Sequence, residues 1–415
     1  MDASILSRIR QSFLGVPEED GRASIGPRLF LIKLIMAMVN DSNRRSLANL
    51  RRQLLASVDG GLARSSFWQR LSSRRLTKFL TQTIRQLVAG LAGKLSVNAD
   101  ILGKLGVRSV YLHDSSSITL PKKARGHFPA PRNNVIPAAT KWHLCLNLFS
   151  GIGEWFCLTE ATCHDRNGFP PLEMLKGALI IFDLGYWDYQ LLADLMNSGC
   201  YFLSRVKDRA LIEITAIPSC QAWKKPLGKN LFAMNWSKFR GPIIDIIGTV
   251  RLKDMADADM RVIGFWNEAA RTYHWYATNL TVRAELIYPL YRLRWQVELI
   301  FKAGKSSLNL ADVPSSNYNI IVNIVLAAIT ANLIAQPLAR MTLQNAVKEI
   351  QASISIQRAG YVFVHVASEL MAYLITGLKA DILAVEEKLL RYATELIDPN
   401  FKHRPTSMRR IAIMQ

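Results

Sequence analysis

Hydrophobic and polar positions alternate in two different ways along this chain of 415 residues. In the N-terminal part, apolar side chains recur every three or four positions, for example in the stripe Leu76, Phe79, Leu80, Ile84 and Leu87. That spacing places the apolar residues on one face of an α-helix and the polar residues on the other. We therefore predict that residues 1–104 form a helical region.

From residue 107 the pattern changes to short apolar runs of the kind that form strands. Three consecutive runs are followed by a helical pattern, a fourth strand, a second helical pattern and a fifth strand. This order predicts an α/β fold with a mixed sheet of the ribonuclease H-like kind over residues 105–310.

The segment 208–280 breaks that order with short strand-like runs separated by Pro, Gly and charged residues, which predicts a β-rich insertion. It contains four of the nine tryptophans, namely Trp223, Trp236, Trp266 and Trp275. Aromatic residues in a small sheet most often form its core, whereas an exposed one would stack on an unpaired base.

Residues 311–415 return to a helical pattern and are predicted to form a C-terminal helical domain, a candidate for dimerisation. The apolar stretch 320–335 raises the question of a membrane span. It contains polar residues and stops at Pro337, and it is shorter than the span of about 20 residues that a bilayer requires. A buried core helix is the better interpretation.

The charge balance points to a polyanionic partner. The chain has 52 Lys and Arg against 32 Asp and Glu, a net charge of +20, which favours nucleic acid or an acidic membrane surface over a small substrate. Between residues 42 and 94 there are 11 basic residues and the single acid Asp59. This region carries half of the excess positive charge.

Compact basic helices of this kind suit a DNA reader in which phosphate contacts supply affinity and a few side chains contact bases. The best candidates for contact are Arg70, Arg74 and Arg75. The alternative interpretation is a basic face exposed only to solvent.

The five cysteines form no CxxC pair and no Cys/His set with zinc spacing, so neither a disulfide framework nor a zinc site is predicted. They suit reduced thiols of a cytosolic protein. The N-terminus lacks the apolar region of a signal peptide. We expect a cytoplasmic protein.

A charged stripe lies near the end of the predicted sheet domain. Within one helix that begins near Arg283, the residues Tyr291, Arg294, Glu298 and Lys305 would project from one face. Such a stripe, taken alone, is usually a solvated face held by weak salt bridges. The interpretation changes only if other residues provide partners for the single acid, Glu298.

Two aspartates provide such partners. Asp114 follows a predicted strand, 109–112, and Asp183 follows the apolar run ALIIF. Charged groups at strand ends are costly unless they are paired or bind a metal. Two aspartates and a glutamate would form an all-oxygen site that suits Mg²⁺ or Mn²⁺ and not zinc. Two metal ions in such a site support phosphodiester chemistry.

At these residues the chain resembles the DDE transposases of bacterial insertion sequences in the IS four group. Their signature is Tyr, two residues, Arg, three residues, Glu, six residues and Lys, and it is present here from Tyr291 to Lys305 without a gap. The likeness extends to YLHDSSS, IFDLGY, FLSRVK and YATNL, and covers roughly residues 105–310.

The resemblance implies a ribonuclease H-like fold in which Asp114, Asp183 and Glu298 bind two Mg²⁺ ions, for which Mn²⁺ would substitute. It also implies cleavage at the ends of a mobile element and joining of the freed 3′ ends to target DNA. Double-stranded DNA, namely the terminal inverted repeats and the target, would be the partner, in the nucleoid of a bacterial cell. Because two element ends have to be cut in concert, we expect a homodimer in the DNA complex.

The resemblance further assigns phosphate binding near the cleavage site to Tyr291, Arg294 and Lys305. A tryptophan of the insertion would hold a flipped base, and Trp266 and Trp275 are the candidates. Two rival interpretations stay open. One is a catalytically silent DNA-binding protein or transposition inhibitor of the same family, and the other is a membrane-associated protein.

Overall fold

The computed structural model describes residues 3–18, 25–40, 46–56, 62–91, 99–131, 136, 138–218, 226–239, 241–250, 257–308, 310, 313–346 and 355–397. The N-terminal helices are α1 Ala3–Leu14, α2 Pro27–Asn40, α3 Leu47–Ala56, α4 Arg64–Leu71, α5 Arg74–Leu91 and α6 Ala99–Leu105. The central helices are α7 Leu172–Leu175, α8 Tyr189–Asn197, α9 Ile287–Arg292 and α10 Trp295–Ser307. The C-terminal helices are α11 Tyr318–Ala346, α12 Ile356–Thr376 and α13 Lys379–Arg391.

The strands form one mixed sheet. They are β1 Val110–Leu120, β2 Ala138–Asn147, β3 Gly153–Glu160, β4 Leu179–Phe182, β5 Tyr201–Arg205, β6 Glu213–Ala216, β7 Ile243–Val250, β8 Ala258–Asn267 and β9 Thr272–Thr278. Their spatial order is β3-β2-β1-β4-β5-β9-β8-β7-β6. Strands β1, β4 and β5 are parallel, and β1, β2 and β3 are antiparallel. The predicted α/β class with a ribonuclease H-like mixed sheet is confirmed.

The strands of segment 208–280 do not form a small sheet of their own. Strand β9 pairs antiparallel with β5, and β8, β7 and β6 follow outward from it. The β-rich region therefore continues the main sheet beyond β5. Side chains of this region come to lie beside the carboxyl ends of β4 and β5.

Strand β1 is longer than predicted. The expected strand 109–112 with Asp114 at its end is wrong, because β1 continues through Asp114 to Leu120. Its parallel pairing with β4 nevertheless covers only Val110 to His113, and the following residues pair with β2 alone. Asp114 thus lies at the end of the parallel ladder and not at the end of the strand.

Each face of the sheet packs against its own core. Successive strand residues point to opposite faces, so Leu112 and Ile181 belong to the larger core while Tyr111 and Phe182 belong to the second one. The larger core also contains the apolar faces of the N-terminal and C-terminal helices. The second core contains α8 and most of the apolar residues of the insertion.

The N-terminal helices are joined to the C-terminal ones by a buried amide. Asn323 on α11 donates to the carbonyls of Leu71 (2.8 Å) and Ser73 (3.2 Å) and accepts from the hydroxyl of Thr77 (2.7 Å). The two helical regions therefore share a core with the sheet. The domain boundaries at residues 104 and 310 stay predictions.

Among the residues that the structure describes, two helical stretches are long and apolar enough to cross a membrane by length and composition alone. The first is Tyr318–Ala339, whose most apolar window is 83% buried inside the protein, and the second is Arg358–Thr376 at 56%. The burial of the first agrees with the predicted core helix. Such helices are common in the cores of soluble proteins.

Candidate active site

The register of β1 and β4 brings the two aspartates side by side. His113 is opposite Phe182, so Asp114 and Asp183 follow as the next residues of neighbouring strands. Adjacent strands lie about 4.8 Å apart. By the alternation of side chains, both aspartates project from the face that Leu112 and Ile181 share, which is the face covered by α10.

Glu298 is supplied by α10, but the helix that carries it is not continuous. The prediction of one helix from about residue 283 to Lys305 is wrong, because α9 ends at Arg292 and α10 begins at Trp295. Between them the amides of Leu293 and Arg294 bond three residues back instead of four. This tighter turn has three residues per turn, so it stacks Arg294 directly above Tyr291.

Arg294 is the centre of the site. One terminal nitrogen of its guanidinium donates to Asp114, and the other donates to Glu298 Oε1 at 2.7 Å. Its Nε lies 3.9 Å from Asp183 Oδ1. The Arg294 side chain is only 14% exposed. The structure therefore brings all three predicted acids together around one cation.

Tyr291 forms the wall beside Asp183. Its hydroxyl donates to Asp183 Oδ1 at 3.1 Å, and its ring packs against Tyr276 of β9 at 4.9 Å between centroids. Burial raises the pKa of the Tyr291 hydroxyl, with Asp183 adding to the effect. Tyr291 therefore stays protonated and acts as a hydrogen-bond donor.

Burial opposes the ionisation of Asp114. Burial raises the pKa of Asp114 to about 6; Arg294 and the backbone N–H of Ser115 act against this rise, and Asp183 and Glu298 add to it. Burial by itself would lower the pKa of Arg294, but the surrounding carboxylates raise it above its ordinary value. Three carboxylates against one guanidinium leave this site with excess negative charge.

Lys305 is farther from the acids. It lies seven residues beyond Glu298 on α10, a rise of about 10 Å along the helix, and burial lowers its pKa. Closer to Glu298, the ring of Trp295 is exposed and the ammonium of Lys302 lies 4.8 Å from its centroid. These groups form a cationic and aromatic strip that leads away from the carboxylates.

The donor chemistry fits divalent metal ions, although the arrangement of the carboxylates does not yet form a metal cage. No set of three His, Cys, Asp or Glu side chains within the described ranges is placed to hold an ion. Instead, Arg294 lies among the oxygens of Asp114, Asp183 and Glu298. An excess of negative charge and a set of ligands that are all oxygens suit Mg²⁺ or Mn²⁺. A metal ion would bind these oxygens only after the Arg294 guanidinium has moved away from them.

Comparison with known proteins identifies the family. The model of the family described as "Transposase DDE domain" matches residues 105–333, more than half of the chain. This chain belongs to the DDE transposases. It is also 24% identical over 250 residues to the transposase for insertion sequence element IS1151 of Clostridium perfringens. That match covers 49% of this chain and 51% of the relative, so the chain spans about half the length of the curated relative it matches.

The transposase domain supports its acids with a buried polar network that the sequence did not indicate. His143 on β2 bonds through Nδ1 to the Tyr186 hydroxyl (2.8 Å) and through Nε2 to the Thr159 hydroxyl (2.9 Å). Tyr186 closes the 3₁₀ turn that begins directly after Asp183. Burial lowers the pKa of His143 to about 4, so a neutral imidazole fixes this turn. A side chain at Gly168 would clash with the His143 ring, so the glycine leaves room for this network.

A second feature of the transposase domain is a cavity of about 620 Å³ in the insertion, which both predicted stacking residues line. Trp275 is 6% exposed and packs against Trp236 at 5.0 Å, whereas Trp266 is only partly buried. Arg205 also lines the cavity and follows Ser204, which is opposite Phe182 in the sheet. The cavity therefore begins one strand away from Asp183, and Arg205, which the sequence did not single out, lies at that end of it.

The predicted DNA-contacting arginines of the N-terminal helices differ in their surroundings. Arg74 and Arg75 are exposed at the start of α5. Arg70 on α4 is half-buried and donates to the carbonyl of Ile25, and burial lowers its pKa. Contact with DNA stays a prediction for all three.

Proposed function

We propose that this transposase cleaves DNA at the terminal inverted repeats of its insertion sequence and joins the 3′ ends to target DNA. The convergence of Asp114, Asp183 and Glu298 at the end of the parallel β1–β4 ladder supports this proposal. When bound by these carboxylates, two Mg²⁺ ions, or Mn²⁺ in their place, would activate the attacking oxygen and stabilise the leaving one.

The chain's own residues would position the DNA. The Tyr291 hydroxyl and the planar guanidinium of Arg294 are donors suited to phosphate oxygens. As a phosphodiester enters, Arg294 would exchange carboxylate oxygens for phosphate oxygens and so release the acids. Lys305, about 10 Å along α10, would bind a neighbouring phosphate. As part of the same proposal, we assign the chain to the IS four group, because it has the Tyr, Arg, Glu and Lys pattern from Tyr291 to Lys305.

The test is single replacement of each acid by its amide, Asp114→Asn, Asp183→Asn and Glu298→Gln. Each variant should lose Mg²⁺-dependent cleavage of a duplex carrying the terminal repeat and should retain binding to it. Asp188→Asn is the matched control, because Asp188 caps α8 and pairs with Arg166 at 2.9 Å. A fully active Asp183→Asn protein would refute the proposal.

The second candidate is a catalytically silent DNA-binding protein or transposition inhibitor. The observation in its favour is Arg294, which lies where a metal ion would have to bind the acids. The discriminating experiment uses the unmodified chain with its own terminal repeats. Binding without cleavage over a range of Mg²⁺ and Mn²⁺ concentrations would support the silent protein.

We also propose that the chain acts as a homodimer on DNA in the bacterial cytoplasm, because two element ends have to be cut in concert. Leu383 and Leu390 are exposed on α13 and are spaced seven residues apart, which places them on one helix face. A second copy is the occupant we propose for this face. A measured mass that corresponds to one protomer in each complex of two paired element ends would contradict the homodimer.

In the insertion, Trp266 is the better placed of the two predicted stacking residues, because it lines the cavity and keeps part of its ring accessible. A flipped base would stack there with Arg205 near its phosphate. Substituting 2-aminopurine for the base next to the cut would report stacking as fluorescence quenching. Trp266→Ala should remove that quenching.

A further inference from the structure

Three segments that are distant in sequence contain no acidic residue. They are residues 62–91, 115–131 and 313–346, and together they hold ten Lys and Arg. The acid that precedes the third segment, Asp312, lies outside the described residues. A basic surface built from several segments is stronger evidence for a polyanionic partner than a charge run in one helix.

The fold brings these segments together at the far end of β1. The N–H of Val313 donates to the carbonyl of Thr119 at 3.3 Å. Tyr318, the first residue of α11, stacks on Phe128 with 5.4 Å between ring centroids and 3° between ring planes. One turn and a half farther along α11, Asn323 holds the turn between α4 and α5 through the carbonyl of Ser73. The first turns of α11 therefore connect the start of α5 to the segment after β1.

The side chains at this junction point to solvent. Lys122 and Lys123 are exposed in the 3₁₀ turn Lys122–Ala124 that follows β1, Arg125 is exposed directly after it, and Arg74 is exposed at the start of α5. Tyr318, the first residue of α11, is 51% exposed. We call Arg74, Lys122, Lys123, Arg125 and Tyr318 the basic patch. An exposed ring on a segment that joins two groups of exposed cations fits a sugar–phosphate backbone.

The distance between the basic patch and the acids indicates which part of the bound DNA would lie over the patch. Asp114 and Leu120 are six residues apart on one strand, about 20 Å at 3.3 Å per residue. This distance corresponds to about six base pairs of duplex at 3.4 Å each. Arg74 belongs to the N-terminal helices predicted to read DNA. Under the function proposed above these helices would recognise the terminal repeat, so the DNA over the patch would be on the element's side of the cut.

We propose that the basic patch binds the backbone of the terminal-repeat duplex about six base pairs from the scissile phosphodiester. The proposal rests on the function proposed above, and it adds the segment after β1 to the DNA-binding surface. In this arrangement β1 is a rigid link that fixes the distance between the held duplex and Asp114.

The experiment compares two charge-matched double variants. Lys122→Gln/Lys123→Gln removes two cations from the patch. Lys104→Gln/Lys176→Gln removes two exposed cations near the opposite end of β1 and β4. Dissociation constants for a terminal-repeat duplex are measured as a function of salt. In the patch variant, the slope of log K against log salt should be shallower by about 2, because each phosphate contact contributes about 0.9. This variant should also bind the duplex about tenfold more weakly at 0.1 M salt.

A second arm locates the contact. Methylphosphonate groups placed about six base pairs from the cut should weaken binding of the unmodified chain and the control variant but not of the patch variant. An unchanged slope in the patch variant, or the same loss in both variants, overturns the proposal. The proposal is also overturned if the methylphosphonate groups weaken binding equally in the unmodified chain, the control variant and the patch variant.

Different results would refute the proposed catalysis and the proposed DNA contact of the basic patch. A chain that binds the terminal repeat but does not cleave it with Mg²⁺ refutes the proposed catalysis, while the salt slopes still decide the patch. A loss of affinity that is equal for a random duplex, with no dependence on the modified position, overturns the assignment to the repeat. Thermal melting of both variants checks that these surface changes leave the fold intact.

Discussion

At the level of single residues, Arg294 decides the state of the site. Its guanidinium bonds Asp114 and Glu298 and lies beside Asp183, so it stabilises three like charges that would otherwise repel one another. The same contacts oppose metal binding. Arg294 is thus both a DNA ligand in our proposal and a competitor of the metal.

This competition can be measured without activity. Arg294→Gln should cost about 1 to 3 kcal/mol of unfolding free energy in the absence of metal, because the acids lose a charged donor. Mg²⁺ should then raise the melting temperature of the variant more than that of the unmodified chain. Arg166→Gln is the control, since Arg166 forms its ion pairs with Asp188 and Asp194. Equal Mg²⁺ shifts in Arg294→Gln and the unmodified chain would contradict the competition.

His113, next to the first acid, makes the fold sensitive to acid. Burial lowers its pKa to about 3, below the ordinary value of 6.5. The unfolded chain therefore binds a proton that the folded chain rejects, and stability is lost as pH falls from 6.5 toward 3, by up to about 1.4 kcal/mol per pH unit.

His113→Phe should reduce this pH dependence, because Phe fits among the rings of Trp155, Phe169 and Tyr186 that surround the imidazole. The measurement is the free energy of unfolding by denaturant between pH 7 and pH 4. The dependence that remains should include His143, whose pKa burial lowers to about 4, and Asp114, whose raised pKa acts in the opposite direction because its protonation favours the folded chain. An identical slope in the variant and the unmodified chain would show that His113 is not the cause.

Sequence reasoning found the acids because their chemistry is visible in the residue types. Carboxylates after apolar runs and a glutamate among cations are enough to mark a candidate site. The contacts of Arg294 and the His143–Tyr186 bond were not predictable, since they depend on which strand lies beside which. Residue type indicates what a side chain can do, and the register determines its partner.

At the level of elements, the two errors have the same physical origin. Sequence pattern ended β1 too early because Ser115, Ser116 and Ser117 lack the apolar alternation of a strand, yet pairing with β2 keeps them extended. It also joined α9 to α10, because no Gly or Pro marks the turn at Leu293 and Arg294. Tertiary pairing overrides local preference in both places.

The position of α9 depends on the insertion. Arg261 on β8 bonds Asp245 on β7 (2.6 Å) and donates to the carbonyls of Leu280 (3.2 Å) and Val282 in the segment that leads to α9. Arg261 and Asp245 are 17% and 15% exposed. This pair therefore links the lengthened sheet to the helices that carry Tyr291 and Glu298.

Arg261→Gln should cost about 2 to 4 kcal/mol, because a buried carboxylate and two carbonyls lose their donor. It should lower cleavage while leaving binding of the terminal repeat unchanged. Arg283→Gln in the same segment is the control, since the ion pair of Arg283 with Glu285 is exposed and worth about 0 to 1 kcal/mol. Equal losses of unfolding free energy in Arg261→Gln and Arg283→Gln would show that Arg261 does not link the lengthened sheet to these helices.

At the level of the whole molecule, the helices at both ends of the chain pack into one core with the sheet. The division of the chain into three successive domains stays a prediction. Hydrophobic periodicity predicts that a helix has an apolar face but not which element covers it. For α11 the covering elements include α5, from the opposite end of the chain, and Asn323 fixes that contact.

Replacement of two asparagines on α11 tests the shared core. Asn323 is fully buried and bonds two carbonyls and a hydroxyl of the N-terminal helices, so Asn323→Leu should cost about 2 to 4 kcal/mol. The amide nitrogen of Asn332 is buried without a hydrogen-bond partner among the described residues. Asn332→Leu should therefore be nearly neutral, since it removes a buried polar group that gains nothing in exchange.

Calorimetry of these variants distinguishes a shared core from separate domains. If the core is shared, Asn323→Leu lowers the temperature of one cooperative transition in which the N-terminal helices and the sheet unfold together. If the N-terminal helices form an independent unit, the variant instead melts in two steps and the sheet keeps its original transition. The second result would mean that α5 merely docks on α11, and the basic patch would then be formed only while the two units stay docked.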